Sequence, residues 1–516
     1  MTLSRPEVLA APESPPRDTA GRRERILVGL FCLLAALRIF VFTAAFPFFN
    51  NVDEHYHFDL VCRYAHGDVP QGLEPCSPEA AALIARYGSP EYVWALQDFP
   101  ERKTPPPVWS RPAAEQAKLF AERQNVWRHE VNHEAVQPPL YYAVVGLWYD
   151  LGKRLGIEGG NLLYWARFFN IPLYVLLVWL SYWLAKELVP VSRFVYLGVP
   201  FVLAFFPQDV YCGLNNDVLS APLVTLSLCL LVRLYRAELA RPGLALGAGL
   251  AAAAAVLTKF TNVPILVVLG AVALLKLGPA WWKKQPLTHL APVVVLLLAS
   301  GIPVACWLAR NYLVLGDLTG FVVRSRFMMW TPKPLGQYWH HPVFTPSGLT
   351  FFWNNLVITL WRGEFLWHQV HLTAGILDTF YFLSSTLFPL IFVLAALAGN
   401  ANMRPETRTA VMFCLPLFAL HFALLGFFSV SVEFSTKMFN IPSPQEPYVD
   451  QGRLLLGGIV PFLILYLGGL EVLLRWLRLG FARVPVLVIL VDVMAISQIA
   501  AMLDVFASQY NWFHLP

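Results

Sequence analysis

Residues 26–46 read ILVGLFCLLAALRIFVFTAAF, and just beyond them stands Asn50-Asn51-Val52-Asp53-Glu54-His55-Tyr56-His57. The first stretch has the roughly 17 to 25 apolar residues needed to cross a bilayer. The second sets two acids and two imidazoles where that helix meets water. Ionisable groups at such a boundary are costly to hold and mark function more often than chance.

Working outward, the same apolar signature recurs. Hydrophobic residues make up 57% of the chain and charged residues 14%, against about 25% charged in soluble domains. Spans are expected at Ile26–Phe46, Phe168–Leu188, Phe194–Tyr211, Val218–Leu234, Leu244–Leu257 and Val263–Leu277. Five more are expected at His289–Ala309, Leu377–Ala398, Val411–Phe428, Leu454–Leu474 and Val484–Val505. The fold class is therefore an all-α polytopic membrane protein of about eleven helices.

Charge decides the topology. Pro139–Leu155 is only moderately apolar, and it contains Asp150 and ends at Lys153-Arg154. If it does not span, the loops Lys186–Arg193, Arg233–Arg241, Lys276–Lys284, Arg404–Arg408 and Arg475–Arg483 all fall on the cytoplasmic side, as the positive-inside rule requires. It is accordingly read as an interfacial helix. Met1–Arg25, rich in Pro, Ala and Arg, is expected to be a disordered cytoplasmic segment, with Arg22, Arg23 and Arg25 making Ile26–Phe46 a signal anchor. The expected organisation is a transmembrane module at 26–309 that includes a first outer loop at 47–165, a second large outer loop at 310–376, and C-terminal helices at 377–516. Both loops carry interfacial helices, the second at Phe351–Trp367.

The net charge of +5 resides in short loops, the pattern of membrane topology, and points to no nucleic acid. Five of the seven cysteines (Cys32, Cys212, Cys229, Cys306 and Cys414) lie in or beside apolar segments, and no spacing suggests zinc or iron–sulfur ligation. Cys62 and Cys76 share the first loop, where an oxidising exterior would permit a disulfide.

On this topology the polar residues without structural purpose collect on the outer side. They are Asp53, Glu54, His55 and His57; His133, Glu134 and Gln137; Arg167 and Asn170; Asn215, Asn216 and Asp217; and Lys259, Arg310, Asn311 and Arg453.

In that order they resemble the GT-C superfamily of membrane glycosyltransferases. An acidic pair (Asp53-Glu54) follows the first helix, and a long loop ends in Gln137-Pro138-Pro139-Leu140-Tyr141-Tyr142. Arg167, Asn216-Asp217, Thr258-Lys259, Arg310-Asn311-Tyr312 with Gly316-Asp317, and a late Gly452-Arg453 complete the series. The chain is similar to bacterial protein mannosyltransferase-like and lipid A aminoarabinose transferase-like proteins. The family often carries a second carboxylate where Asn215 and Asn216 stand before the single Asp217.

The resemblance implies a GT-C fold and transfer of a sugar from a polyprenyl-phosphate donor to a hydroxyl of a glycan, lipid or protein. It places the site on the outer side of a bacterial cytoplasmic membrane, amid membrane lipids. Such a reaction needs a base, and Asp53 is assigned by its place in the motif, with Glu54 and Asp217 as further catalytic candidates. It also needs cations on the leaving phosphate, for which Lys259, Arg310 and Arg453 suit. His55, His57, Gln137, Tyr141, Arg167, Asn216 and Asn311 are candidate substrate contacts. Asp53, His57 and Asp217 could hold a divalent cation such as Mg²⁺ or Mn²⁺. His133 reads more simply as part of the helix start at Pro138. A ligase using a lipid-diphosphate donor and a lipid or solute transporter are the alternatives. The long first loop disfavours the ligase, and the absence of a sequence repeat disfavours the transporter.

Overall fold

The computed structural model describes residues 19–50, 52–237, 241–282, 290–364, 366–371, 375–398, 405–436 and 442–516. The N-terminal segment through residue 18 lies outside them, as do Asn51, His289 and the loop basics Lys283, Lys284 and Arg404.

Among the described residues the chain is mostly helical, and strand pairing is confined to Thr331–Pro332 with Val432–Glu433, Leu366–Trp367 with Val370–His371 and an isolated Pro75–Val131 bridge. Helix α1 is Thr19–Ala45. The first loop folds as α2 (Glu54–Ala65), α3 (Pro78–Tyr87), α4 (Ala113–His129) and α5 (Leu140–Arg154), and α6 (Gly159–Phe168) runs into the next apolar segment, which begins at Gly159 and not at the expected Phe168. Then come α7 (Asn170–Leu188), α8 (Arg193–Ala204), α9 (Asp217–Arg236), α10 (Pro242–Thr258), α11 (Pro264–Trp282) and α12 (Ala291–Leu315). The second loop carries α13 (Phe321–Phe327) and α14 (Pro346–Arg362), and the chain closes with α15 (Gly375–Leu397), α16 (Pro405–Ser431), α17 (Ile459–Trp476) and α18 (Arg483–Ala501).

Nine described helical segments are long and apolar enough to cross a membrane, and α8 and α10 are shorter apolar helices. Together they account for the eleven expected segments. Helix α8 is 12 residues long, about 18 Å at 1.5 Å per residue, well short of a 30 Å hydrocarbon core. It stops at Ala204 because Pro207 follows, so the expected span to Tyr211 continues as a non-helical stretch and a 3₁₀ turn.

Helix α12 runs six residues beyond the expected end at Ala309 and is closed by Gly316 in the left-handed region (φ 69°). Arg310 and Asn311 therefore lie in the helix rather than opening the loop.

The centre of the bundle is α17: the span Gly452–Trp476 is 94% buried, against 28% for Gly480–Ala501. Helices α15, α16 and α8 pack around α17, and α9 packs on α7 and α10. Helix α5 packs against α2 and presents a buried face of Tyr141, Tyr142, Val145 and Tyr149. Cys62 and Cys76 are buried free thiols.

Candidate active site

The turn after α1 is built around a buried ion pair. Glu54 and Arg167 are both fully buried and meet in a bidentate contact, Nε to Oε1 and Nη2 to Oε2, each at 2.6 Å. Glu54 also accepts the backbone N–H groups of Phe49 (3.0 Å) and Leu214 (2.9 Å). Four donors fill the acceptor capacity of a carboxylate. Arg167 donates further to the carbonyls of Phe46 (2.5 Å) and Pro47 (2.9 Å) and lies over the Phe48 ring at 4.3 Å.

This clamp fixes a strained turn. Phe49 (φ 62°) and Asp53 (φ 60°) both occupy the left-handed region, costly for a bulky residue and held only where the surroundings over-determine it. Asp53 ends the turn as the residue capping α2, and its carboxylate makes no capping bond to the helix. It is left to face a cluster of charged side chains.

Asp53 Oδ1 lies 3.6 Å from His133 Nε2, and Oδ2 lies 3.6 Å from Arg453 Nη2. Arg453 Nε is 3.7 Å from Asp217 Oδ2, and its Nη1 is bonded to Glu364. Lys259 Nζ donates to Asp217 Oδ2 at 2.6 Å. Glu134 lies 3.4 Å from His133 and takes Arg324 Nη2 at 2.5 Å and Gln137 Nε2 at 2.5 Å. Asp53, at 22% exposure, is the most open of the carboxylates around Arg453; Asp217 is at 2%.

Local sequence explains each placement. Asp217 is set at the start of α9 by Asn215, whose Oδ1 accepts the Asp217 N–H (2.9 Å) while its own N–H goes to Tyr141 Oη (3.1 Å). Lys259 directly follows α10, where the helix ends in extended backbone. Arg453 is delivered by Gly452, whose position admits no side chain: a Cβ there would fall 2.0 Å from Leu360 N. The Gly452 N–H is received by Thr359 Oγ1 on α14 (2.8 Å).

Burial raises the Asp53 carboxyl, but neighbouring His133 and the guanidinium of Arg453 outweigh it and hold it well below the usual carboxylate range. Glu134 is likewise lowered, chiefly by Arg324, against the effect of burial. Burial pushes His57 down to about 4 and His55 down to about 3, so both are neutral at pH 7. Glu364 is pushed up to about 7 by burial, against the pull of Arg453.

Of the residues singled out from sequence, Asp53, Asp217, Lys259 and Arg453 converge here. Gln137 and Asn216 join them at one remove, Asn216 Nδ2 lying 3.5 Å from Gln137 Oε1 and 3.3 Å from Thr258 O. Tyr141 supports the Asp217 loop. Others turn away. Glu54 and Arg167 saturate one another. Arg310 stacks over Trp307 (5.0 Å) and bonds to Pro70 O. Asn311 closes the end of α12 through Leu318 O (3.2 Å). Because α2 is already helical at His55, that ring and His57 point about 200° apart: His55 packs on Tyr56 and Trp127, and His57 bonds to Tyr142 Oη at 2.8 Å.

The candidate cation ligands change accordingly. Ligand atoms of Asp53, His133 and Glu134 all lie within 4.8 Å of one another, whereas His57 and Asp217 are engaged by Tyr142 and Lys259. His133, read more simply as part of the helix start, lies beside both Asp53 and Glu134. Glu364 and Arg324 were missed as site residues, and only the aromatic Phe351–Trp367 segment around Arg362 and Glu364 hinted at the former.

The chain is similar to archaeal oligosaccharyltransferase structures from Archaeoglobus fulgidus. One, AglB in complex with an inhibitory peptide and a dolichol-phosphate, is 12% identical over 95% of this chain and 56% of that chain, with a TM-score of 0.46. A second, in complex with Zn and sulfate, is 13% identical over 92% and 53%, with a TM-score of 0.44. The apo form is 12% identical over 92% and 56%, at 0.46. The chain thus spans a little over half the length of those structures. No curated protein matches it. A family model described as "Predicted membrane protein (DUF2142)" matches residues 34–441, most of the chain, and the chain belongs to that family.

Proposed function

We propose that this protein is a membrane glycosyltransferase that moves a sugar from a polyprenyl-phosphate-linked donor to an acceptor hydroxyl, with inversion, and that Asp53 is the general base. The observation that carries the reading is the three-way bridge of Arg453 to Asp53, Asp217 and Glu364, with Lys259 on Asp217. It brings an accessible carboxylate and two cations together at one end of the bundle, where a lipid phosphate would sit. The order of motifs shared with the GT-C superfamily supports the same assignment.

In this mechanism Asp53 takes the proton of the acceptor hydroxyl as its oxygen bonds to the anomeric carbon. The bond from that carbon to the phosphate oxygen breaks, and its electron pair stays on the phosphate. Arg453 and Lys259 stabilise the charge gathered there, most effectively where water is excluded. A donor phosphate drawing Arg453 towards itself also relaxes the charge that holds Asp53 so acidic, bringing its basicity nearer to working pH, where general bases act best.

Asp53, His133 and Glu134 would hold a divalent cation if one is required. One imidazole and two carboxylates fit Mn²⁺ better than Mg²⁺, which prefers an all-oxygen shell. Such an ion would supply further charge stabilisation at the phosphate. The proposal includes a site facing outward from a bacterial cytoplasmic membrane, supported by the basic residues Lys186, Arg233, Arg236 and Arg475 at the opposite helix ends.

The test is transfer of radiolabelled sugar from a panel of polyprenyl-phosphate donors by the purified full chain. Turnover with at least one donor, lost in Arg453→Gln, is expected. Failure with every donor, alongside turnover with a lipid-diphosphate glycan, would instead establish the ligase reading.

A further inference from the structure

At the end of the bundle opposite the Asp53–Arg453 cluster, α1, α7 and α9 line an open cleft of about 530 Å³ walled by Arg25, Trp179, Trp183, Lys186, Glu187 and Arg233, among others. Sixteen residues of α9 separate Asp217 from Arg233, and sixteen of α7 separate Asn170 from Lys186. That is about 24 Å of rise in each case, so the cleft stands near the other membrane–water boundary. We infer that it binds the headgroup of one anionic glycerophospholipid.

The chemistry of the lining is that of a lipid phosphate site. Arg233 lies over the Trp183 ring at 4.1 Å, and Trp179 packs on Trp183 at 5.3 Å. Trp179 is 47% exposed at the rim, where indole rings favour the headgroup level. Arg25 is exposed, its Nε donating to Gly21 O at 3.3 Å. Lys186 is anchored by Glu24 at 2.7 Å and by Tyr182 Oη at 2.8 Å. Three cations thus line the cleft beside one carboxylate, Glu187, which holds Arg233 at 3.3 Å and Arg236 at 3.2 Å.

Guanidinium groups match phosphate oxygens in pairs, and basic pockets between membrane helices recognise anionic headgroups. The volume falls within the roughly 300–1,000 Å³ of small-ligand pockets. The aromatic rim and the membrane-level position select a lipid over free phosphate, because both offer contacts that only an acyl glycerol can use. The inference is independent of the activity proposed above.

The test titrates the delipidated full chain in neutral detergent with phosphatidylglycerol, phosphatidylcholine or inorganic phosphate, and counts retained adducts by native mass spectrometry. One phosphatidylglycerol is expected to be retained at least tenfold more tightly than phosphatidylcholine, with no retained phosphate. Arg25→Gln should weaken that retention about fivefold, the equivalent of about 1 kcal/mol per basic side chain. Glu187→Gln should strengthen it by freeing Arg233. Equal retention of the two lipids, retention of phosphate alone, or an unchanged Arg25→Gln protein would overturn the inference. Because Arg25 is exposed, its variant folds even if the Glu187 variant does not.

Discussion

Asp53 and Glu54 are adjacent acids, each beside an arginine, yet their surroundings differ in kind. Glu54 and Arg167 form a closed pair: the carboxylate has four donors, and the guanidinium has two carbonyls besides. Asp53 and Arg453 form an open one. Their nearest atoms stand 3.6 Å apart, Arg453 Nε is buried without a hydrogen bond, and so is Glu364 Oε1. A buried polar atom without a partner is costly, and one within a cluster of mixed charge is where a substrate oxygen would be welcome. The closed pair spends its interactions on holding the turn, and the open pair keeps some for a ligand.

Breaking the closed pair should have the largest effect. Arg167→Met strands a buried carboxylate, and removing one partner of such a pair costs about 3–5 kcal/mol. Little folded protein is expected, as read by thermal unfolding and by yield of monodisperse protein. If the variant folds normally, the clamp is not what holds the turn. The open pair should behave oppositely. Arg453→Gln should fold but lose about 10²–10³-fold in turnover, the effect of removing one preorganised donor. A wild-type rate would remove Arg453 from phosphate binding.

The cation question sharpens the same contrast. Turnover after chelation should recover with Mn²⁺ more than with Mg²⁺, and His133→Ala should erase that difference while leaving the fold intact. Identical recovery in the variant would mean that His133 is not a ligand.

Glu91 supplies a third kind of buried acid, partnered by the hydroxyls of Ser89 (2.8 Å) and Ser508 (2.6 Å) instead of a guanidinium. Burial pushes it up to about 7, against those hydrogen bonds. Between the ordinary carboxylate value of about 4.5 and 7 the folded protein therefore holds a proton that the unfolded chain has released. Stability should fall as pH rises through that window, by at most the one-proton slope, which Glu91→Gln should flatten in denaturation midpoints measured across pH 4.5–7.

Most of the architecture was legible because bilayer crossing imposes length and polarity on each segment separately. Charge parity reads Pro139–Leu155 as outside the spans, and Leu140–Arg154 folds as the 15-residue α5 packed on α2. What sequence could not supply was pairing over distance. Glu54 meets Arg167 across 113 residues, and nothing local distinguishes Glu54 from Asp53. The candidate site was legible where a residue stands beside a helix terminus, as with Asp217 at the start of α9, Lys259 after α10 and Arg453 ahead of α17. Glu364 and Arg324 come from the second large loop, where no periodicity fixes direction. His55 and His57 misled because two-residue spacing suits an extended strand, and the chain is helical there.

The proposed division of labour lies between the two neighbouring acids, so the decisive measurement is turnover per folded molecule for Asp53→Asn and Glu54→Gln side by side. Asp53→Asn should fold like the wild type and lose about 10²–10⁴-fold in sugar transfer, while Glu54→Gln should lose stability and keep its rate in whatever fraction folds. Near-normal transfer by Asp53→Asn, with a folded but inactive Glu54→Gln, would contradict it.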